Sequence, residues 1–158
     1  MNTEKQDISE PKREIIASAL QLRDPVFDDL KSTGFDPDSL WNRVDEDLEL
    51  LSDLMAVLAA EVPVMLSRID AAITSGNTTE LEKAGHKIKG SLLQFSASGA
   101  AAAAGHLEEL GRVSTVAGAE ALQRALKGEI NLLMTKLTSM VNRIRSSRAN
   151  RHKAGQGE

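Results

Sequence analysis

The sequence contains no cysteine, which removes disulfides, iron–sulfur clusters, cysteine-ligated zinc and thiol nucleophiles. It has no tyrosine, one tryptophan and three phenylalanines. Strands favour β-branched and aromatic residues, whereas this chain draws on 20 leucines and 20 alanines, both good helix formers. A β-sandwich or barrel is therefore excluded. No unbroken apolar run is long enough to span a bilayer. Met1–Pro11 is polar and acidic and lacks the apolar stretch of a secretory signal. What is present is 158 residues, enough for one domain that buries roughly 68–70% of its unfolded surface without covalent staples. The expectation is a soluble, cytoplasmic, all-α domain.

The net charge of −4 is unevenly spread. Arg143, Arg145, Arg148, Arg151 and Lys153 follow one another with no acid between them, so the rest of the chain sums to −9. An acidic body with a basic end argues against a nucleic-acid-binding face.

Hydrophobic periodicity divides the chain. Residues 1–11 are expected to be disordered and 12–34 to hold a short helix (Lys12–Arg23) and a loop. Asp36-Pro37 reads as a helix cap followed by proline at the first helical position. A long helix is expected over Asp45–Thr74, where Leu51, Leu58, Val62, Met65 and Ile69 share one face. Pro63 should kink it or free one carbonyl. A second helix should begin near Asn77–Thr79, capped by Asn77 or Thr79, and run to about Ala97 with Leu81, Ala84, Ile88, Leu92 and Phe95 inward. A third is expected over Ala100–Arg112, after a break at Gly99 and with Gly111 near its C-cap. Its alanines would allow close helix approach. The last should span Gly118–Ser146, leaving 147–158 as a flexible basic tail. The sum, over 35–146, is an antiparallel up-and-down four-helix bundle with one or two short extra N-terminal helices.

Candidate chemistry centres on His86. At 100° per residue it falls about 200° from Ile88, on the solvent face. Lys89 and Gly90, three and four residues on, are its surface neighbours. A histidine near the reference pKa of about 6.5 presents a free ring nitrogen at neutral pH. Lys89 can offset phosphoryl charge. Gly90 is costly mid-helix, by about 1 kcal/mol against alanine, and gives clearance to an approaching surface. Taken alone, an exposed helical histidine is most often merely solvated. His106 and His152 read as solvated, and with His86 they are too widely spaced for a zinc site. Gly85-x-x-x-x-Gly90-Ser91 lacks the lysine and the preceding strand of a phosphate-binding loop. Glu108 and Glu109 project about 100° apart and do not read as an acid–base pair. On the long helix, Val57, Ala60 and Val64 form an apolar stripe about 120–180° from the core. Leu93, seven residues after His86, shares the histidine's face; these four are the candidate docking residues.

The segment His86-Lys87-Ile88-Lys89-Gly90-Ser91 resembles the His-x-x-Lys-Gly-Ser/Ala hallmark of the histidine-containing phosphotransfer (HPt) domains of two-component phosphorelays. Glu61-Val62-Pro63 and Leu107-Glu108 resemble two further family features, and the similarity covers roughly Phe35 to Ile144. Three positions depart from the family pattern: Ser96 where glycine is common, Gly85 where alanine is frequent, and Ala100 in place of a large aliphatic residue. The resemblance implies a phosphorelay intermediate. His86 would accept a phosphoryl group from a receiver-domain aspartyl phosphate and pass it to another receiver. Lys89 and Gly90 would assist, with Ser91 or Gln94 supporting by hydrogen bonds. It implies no ATP-dependent kinase activity, no cofactor and no metal of its own, magnesium belonging to the receiver. The expected partners are receiver domains of response regulators or hybrid kinases, without nucleic acid or membrane, and the expected state is monomeric. The alternatives are a helical module that sequesters a receiver or kinase without carrying phosphate, or the detached phosphoacceptor domain of a chemotaxis-type kinase.

Overall fold

A computed structural model of the chain describes residues 27–32 and 34–156. The expectations for 1–11 and for Lys12–Arg23 lie outside those residues. Among the described residues five helices follow in order: α1 (Pro37–Arg43), α2 (Leu48–Ser75), α3 (Thr78–Gln94), α4 (Ser98–Arg112) and α5 (Ala119–Gly155). There is no strand among the described residues, only an isolated bridge between Ser32 and Phe35. Each of α2 to α5 packs on its chain neighbours, and α2 closes on α5. The expected all-α bundle is therefore observed.

Local chemistry sets the boundaries. The Asp36 carboxylate accepts from the Ser39 amide at 3.1 Å, with Pro37 opening α1. Asp47 caps α2 at the Leu50 amide (3.0 Å), and Gly76 ends it in the left-handed region at φ 67°. Asn77, rather than Thr79, caps α3, accepting from the Glu80 amide at 3.1 Å. The inward residues expected on α2 and α3 form the core: Leu51, Leu58, Met65, Ile69, Leu81, Ile88 and Leu92 are almost wholly buried, and Leu107, Leu126 and Leu137 join them from α4 and α5. Pro63 does not break α2, which continues through it. The carbonyl that proline leaves unbonded belongs to Ala59, an exposed residue that water can serve.

Three boundary expectations are corrected. First, α3 ends at Gln94 and not at Ala97. The amides of Ser96 and Ala97 turn back to the carbonyls of Leu93 (3.1 Å) and Leu92 (3.3 Å), a Schellman closure that places Ser96 at φ 53°. That is the conformation in which glycine carries no steric cost, which accounts for the glycine common there in the family. Ser96 compensates locally: its hydroxyl bonds the Ser39 hydroxyl at 3.1 Å and its carbonyl takes the Asp36 amide at 3.1 Å. Gly99 is consequently not the break but part of the first turn of α4, where its amide donates to the Gly34 carbonyl at 3.0 Å.

Second, Gly111 is not a C-cap. It lies inside α4, which closes at Val113. A Cβ at Gly111 would stand 2.4 Å from the Glu82 amide nitrogen and 2.6 Å from the Thr78 carbonyl oxygen. Its absence lets the α4 backbone touch the α3 backbone.

Third, α5 runs to Gly155, so most of the basic segment expected to be a flexible tail is helical. Its cations near the C-terminal end complement the helix dipole. Arg148 also lies 5.9 Å from the Trp41 ring centre and donates to the Glu46 carbonyl at 3.1 Å, tying α5 to the α1–α2 corner. Arg143 grips Asp29 with both guanidinium nitrogens, and that pairing holds the Asp29 carboxyl below its usual range.

Candidate functional site

The site is built where α3 and α4 come closest. On α3 the stripe Leu81, Ala84, Ile88 and Leu92 is buried, which turns His86, Lys87, Gly90, Leu93 and Gln94 outward. The His86 side chain is 72% exposed, as the helical wheel predicts. A Cβ on Gly90 would meet nothing within 4 Å, so the surface beside the imidazole is open.

Glycine on the inner side does the opposite. A Cβ on Gly85 would lie 2.7 Å from the Glu108 amide nitrogen and 3.2 Å from the Ala104 carbonyl oxygen. Gly85 and Gly111 together let α4 lie directly on α3. This accounts for Gly85 in place of the family's frequent alanine. Gly105 adds a third small position: a Cβ there would sit 3.5 Å from Lys89 Cδ, so the lysine stem runs across α4 at that point.

This approach delivers one carboxylate to the histidine. Glu108 occupies the inner stripe of α4 with Ala101, Ala104 and Gly111, and only 5% of it is exposed. Its Oε1 lies 2.8 Å from His86 Nδ1, and its Oε2 accepts from Lys89 Nζ at 2.5 Å. Arg112, one turn on, donates Nη2 to Glu108 Oε1 at 3.3 Å and Nη1 to Glu109 Oε2 at 2.6 Å, with Nε 3.7 Å from Glu82 Oε1. The Lys89 hydrogen bond, followed by that of His86, holds the Glu108 carboxyl below the usual carboxylate range; burial opposes them but does not prevail. The stability this arrangement contributes is present above the unfolded carboxyl pKa and is lost as pH falls through the lowered folded value.

An ionised carboxylate can only accept hydrogen bonds. His86 Nδ1–H is therefore the donor to Glu108, which leaves Nε2 as the ring nitrogen facing away from the carboxylate. The arrangement can present Nε2 of an oriented imidazole as a nucleophile, with a lysine one turn away on the same helix.

The other candidate residues divide. Val57 (53% exposed), Val64 (61%) and Leu93 (48%) are exposed, as is Ala60. Leu50 and Leu54, not anticipated from the sequence, lengthen the same apolar stripe and are signalled by their three- and four-residue spacing ahead of Val57. Together they explain why α2 holds an 18-residue window of mean hydropathy 1.7, long and apolar enough by composition to cross a bilayer. One face fills the bundle and the other is apolar as well. Ser91 is not brought to the imidazole: its hydroxyl bonds the Lys87 carbonyl at 3.3 Å on its own helix. Gln94 closes α3, about 12 Å along the axis from His86. His106 and His152 are exposed. Sequence reasoning passed over Arg43, whose guanidinium donates to the carbonyls of Leu93 (2.9 Å) and Gln94 (3.0 Å), pinning the C-terminus of α3 to α1. It also passed over the roles of Glu108 and Arg112. The available signal was a carboxylate on a helix stripe otherwise made of alanine, glycine and leucine.

The chain is a bundle of four long helices that displays a carboxylate-bonded histidine on an open helix face. Residues 53–146 match the family model for the Hpt domain, more than half of the chain, and the chain belongs to that family. Members are phosphotransfer modules, not kinases, and act with receiver domains in two-component phosphorelays. Neither a curated protein nor a solved structure matches the chain.

Proposed function

We propose that the protein is a phosphorelay intermediate in which His86 Nε2 accepts a phosphoryl group from a receiver-domain aspartyl phosphate and returns it to another receiver. The observation that carries this reading is the Glu108–His86 hydrogen bond at 2.8 Å on a ring left 72% exposed. The Nε2 lone pair attacks phosphorus, the P–N bond forms, and the acyl P–O bond breaks with the aspartate carboxylate leaving. The Nδ1 proton stays in place, so the phosphorylated ring carries positive charge, which the ionised Glu108 offsets. Phosphoryl transfer depends mainly on positioning and electrostatics, and this site provides both. Lys89 supplies a cation for the phosphoryl oxygens. Gly90 leaves room for the receiver's acyl phosphate. Magnesium, where required, belongs to the receiver.

The test is incubation with phosphorylated receivers, following acid-labile, base-stable phosphate on this chain. Transfer supports the reading. Stable binding to receivers without any phosphate on the chain would favour a sequestering module.

The receiver is proposed to dock on Val57, Ala60, Val64 and Leu93. Counting outward from the short turn between α2 and α3, Val64 falls level with Lys89 and Ala60 level with Leu93. Val57→Asp or Val64→Asp should weaken receiver binding measured by titration, while stability stays within about 0.5 kcal/mol, as for other surface changes. Unchanged binding would place the docking face elsewhere. A monomeric, cytoplasmic protein that binds neither nucleic acid nor membrane remains part of this proposal.

A further inference from the structure

Lys89 is asked to do two things that conflict. In the structure its ammonium is already committed, at 2.5 Å, to Glu108 Oε2. Glu108 is almost fully buried, and a buried carboxylate stripped of its cation is strongly disfavoured. A phosphoryl group arriving on His86 Nε2 needs that same ammonium. Lys89 can turn toward it only if another cation keeps Glu108 ionised and aligned on Nδ1.

Arg112 is placed to be that cation. Its Nη2 reaches Glu108 Oε1, the oxygen shared with His86, and not Oε2, the oxygen held by Lys89. Its remaining guanidinium nitrogens are directed to Glu109 and toward Glu82, so the group is fixed from three sides. Arginine suits this role, since its planar fork can serve several carboxylates at once and its charge is permanent. The titratable and charged groups in contact with the pair are His86 and Lys89 from α3, both on Glu108, and Glu82 from α3 and Glu109 from α4, both on Arg112.

Resting on the phosphotransfer reading of His86, we propose that Arg112 is a positioning residue: it holds Glu108 on His86 while Lys89 exchanges Glu108 for the phosphoryl oxygens. Arg112 then acts through Lys89 and Glu108, without touching the phosphoryl group.

A double-mutant cycle on the full chain tests this, with phosphoramidate as a small donor. Its P–N bond breaks, the phosphoryl group moves to His86 Nε2, and ammonia leaves. Without Arg112, Lys89 is trapped on Glu108 and its benefit is already lost. Arg112→Ala should therefore slow uptake tenfold or more in the wild-type background but less than about threefold in Glu108→Gln, which has no carboxylate to hold the lysine. Arg112→Lys should restore most of the difference. Nitrogen-15 spectra of His86 should show Nδ1 protonated in unphosphorylated Arg112→Ala, where Lys89 still holds Glu108. Equal Arg112→Ala factors in both backgrounds would overturn the proposal, because they would mean that Arg112 acts independently of Glu108, either on structure or directly on the phosphoryl group. Failure of the wild-type chain to take up base-stable phosphate would instead remove the phosphotransfer reading, and this inference with it.

Discussion

Replacing His86 with glutamine is expected to abolish phosphoryl uptake while leaving the bundle folded. The side chain is 72% exposed and lies opposite the buried stripe of α3, so its removal opens no cavity. Glutamine keeps a donor that can reach the Glu108 carboxylate, so the buried anion is not left without a hydrogen bond on that side. It has no nucleophilic nitrogen. The change in stability should stay within about 1 kcal/mol, in the range of ordinary surface substitutions. Base-stable phosphate, circular dichroism and a thermal melt, measured on the same preparation, check it. Uptake persisting in the folded variant would remove His86 from the reaction. A lost helical signal would show that the imidazole carries structural weight that its exposure does not suggest.

The fold was largely legible in the sequence because the bundle is held by repeated apolar spacing, and that spacing depends only on helix geometry. Leu51, Leu58, Ile69, Leu81, Ile88 and Leu137 are inward by period and buried in fact. Less legible were features that depend on which backbone meets which. Gly99 and Gly111 read as punctuation, yet both lie inside α4 at places where another backbone touches it. Glycine has two uses, a left-handed turn or a close crossing, and sequence alone does not separate them. Ser96 shows the converse, a left-handed helix end occupied by a residue that does not advertise it. In the site, His86, Lys89 and Gly90 share one helix face and could be grouped from their spacing. Glu108 and Arg112 lie on another helix, and only the close α3–α4 approach brings them in. The pair Leu107-Glu108 was visible, but its partner across the groove was not. The α5 end misled for a different reason: an unbroken basic stretch resembles a solvated tail, while a helix C-terminus accepts the same cations favourably.

Replacing Lys89 with alanine is the second large effect expected. The lysine is one-third exposed, with its stem laid over Gly105 and its ammonium on Glu108. Removing it leaves Glu108 with the His86 Nδ1 proton and the Arg112 guanidinium, so the carboxylate keeps both a donor and a cation. The fold and the Nδ1–H tautomer should therefore survive. What is lost is an ammonium one helical turn from His86 that can meet the phosphoryl charge as it transfers. Loss of one preorganised electrostatic contact slows such reactions on the order of ten- to a thousandfold, and the same range is expected here. The transfer rate from a phosphorylated receiver, measured against salt concentration, checks the origin of the effect. Screening by added salt weakens exposed charge interactions. The wild-type rate should accordingly fall with salt more steeply than that of Lys89→Ala. Parallel salt dependences together with a large drop in rate would mean that the lysine acts through packing over Gly105. A rate within about twofold of wild type would show that the phosphoryl charge is met by the receiver alone.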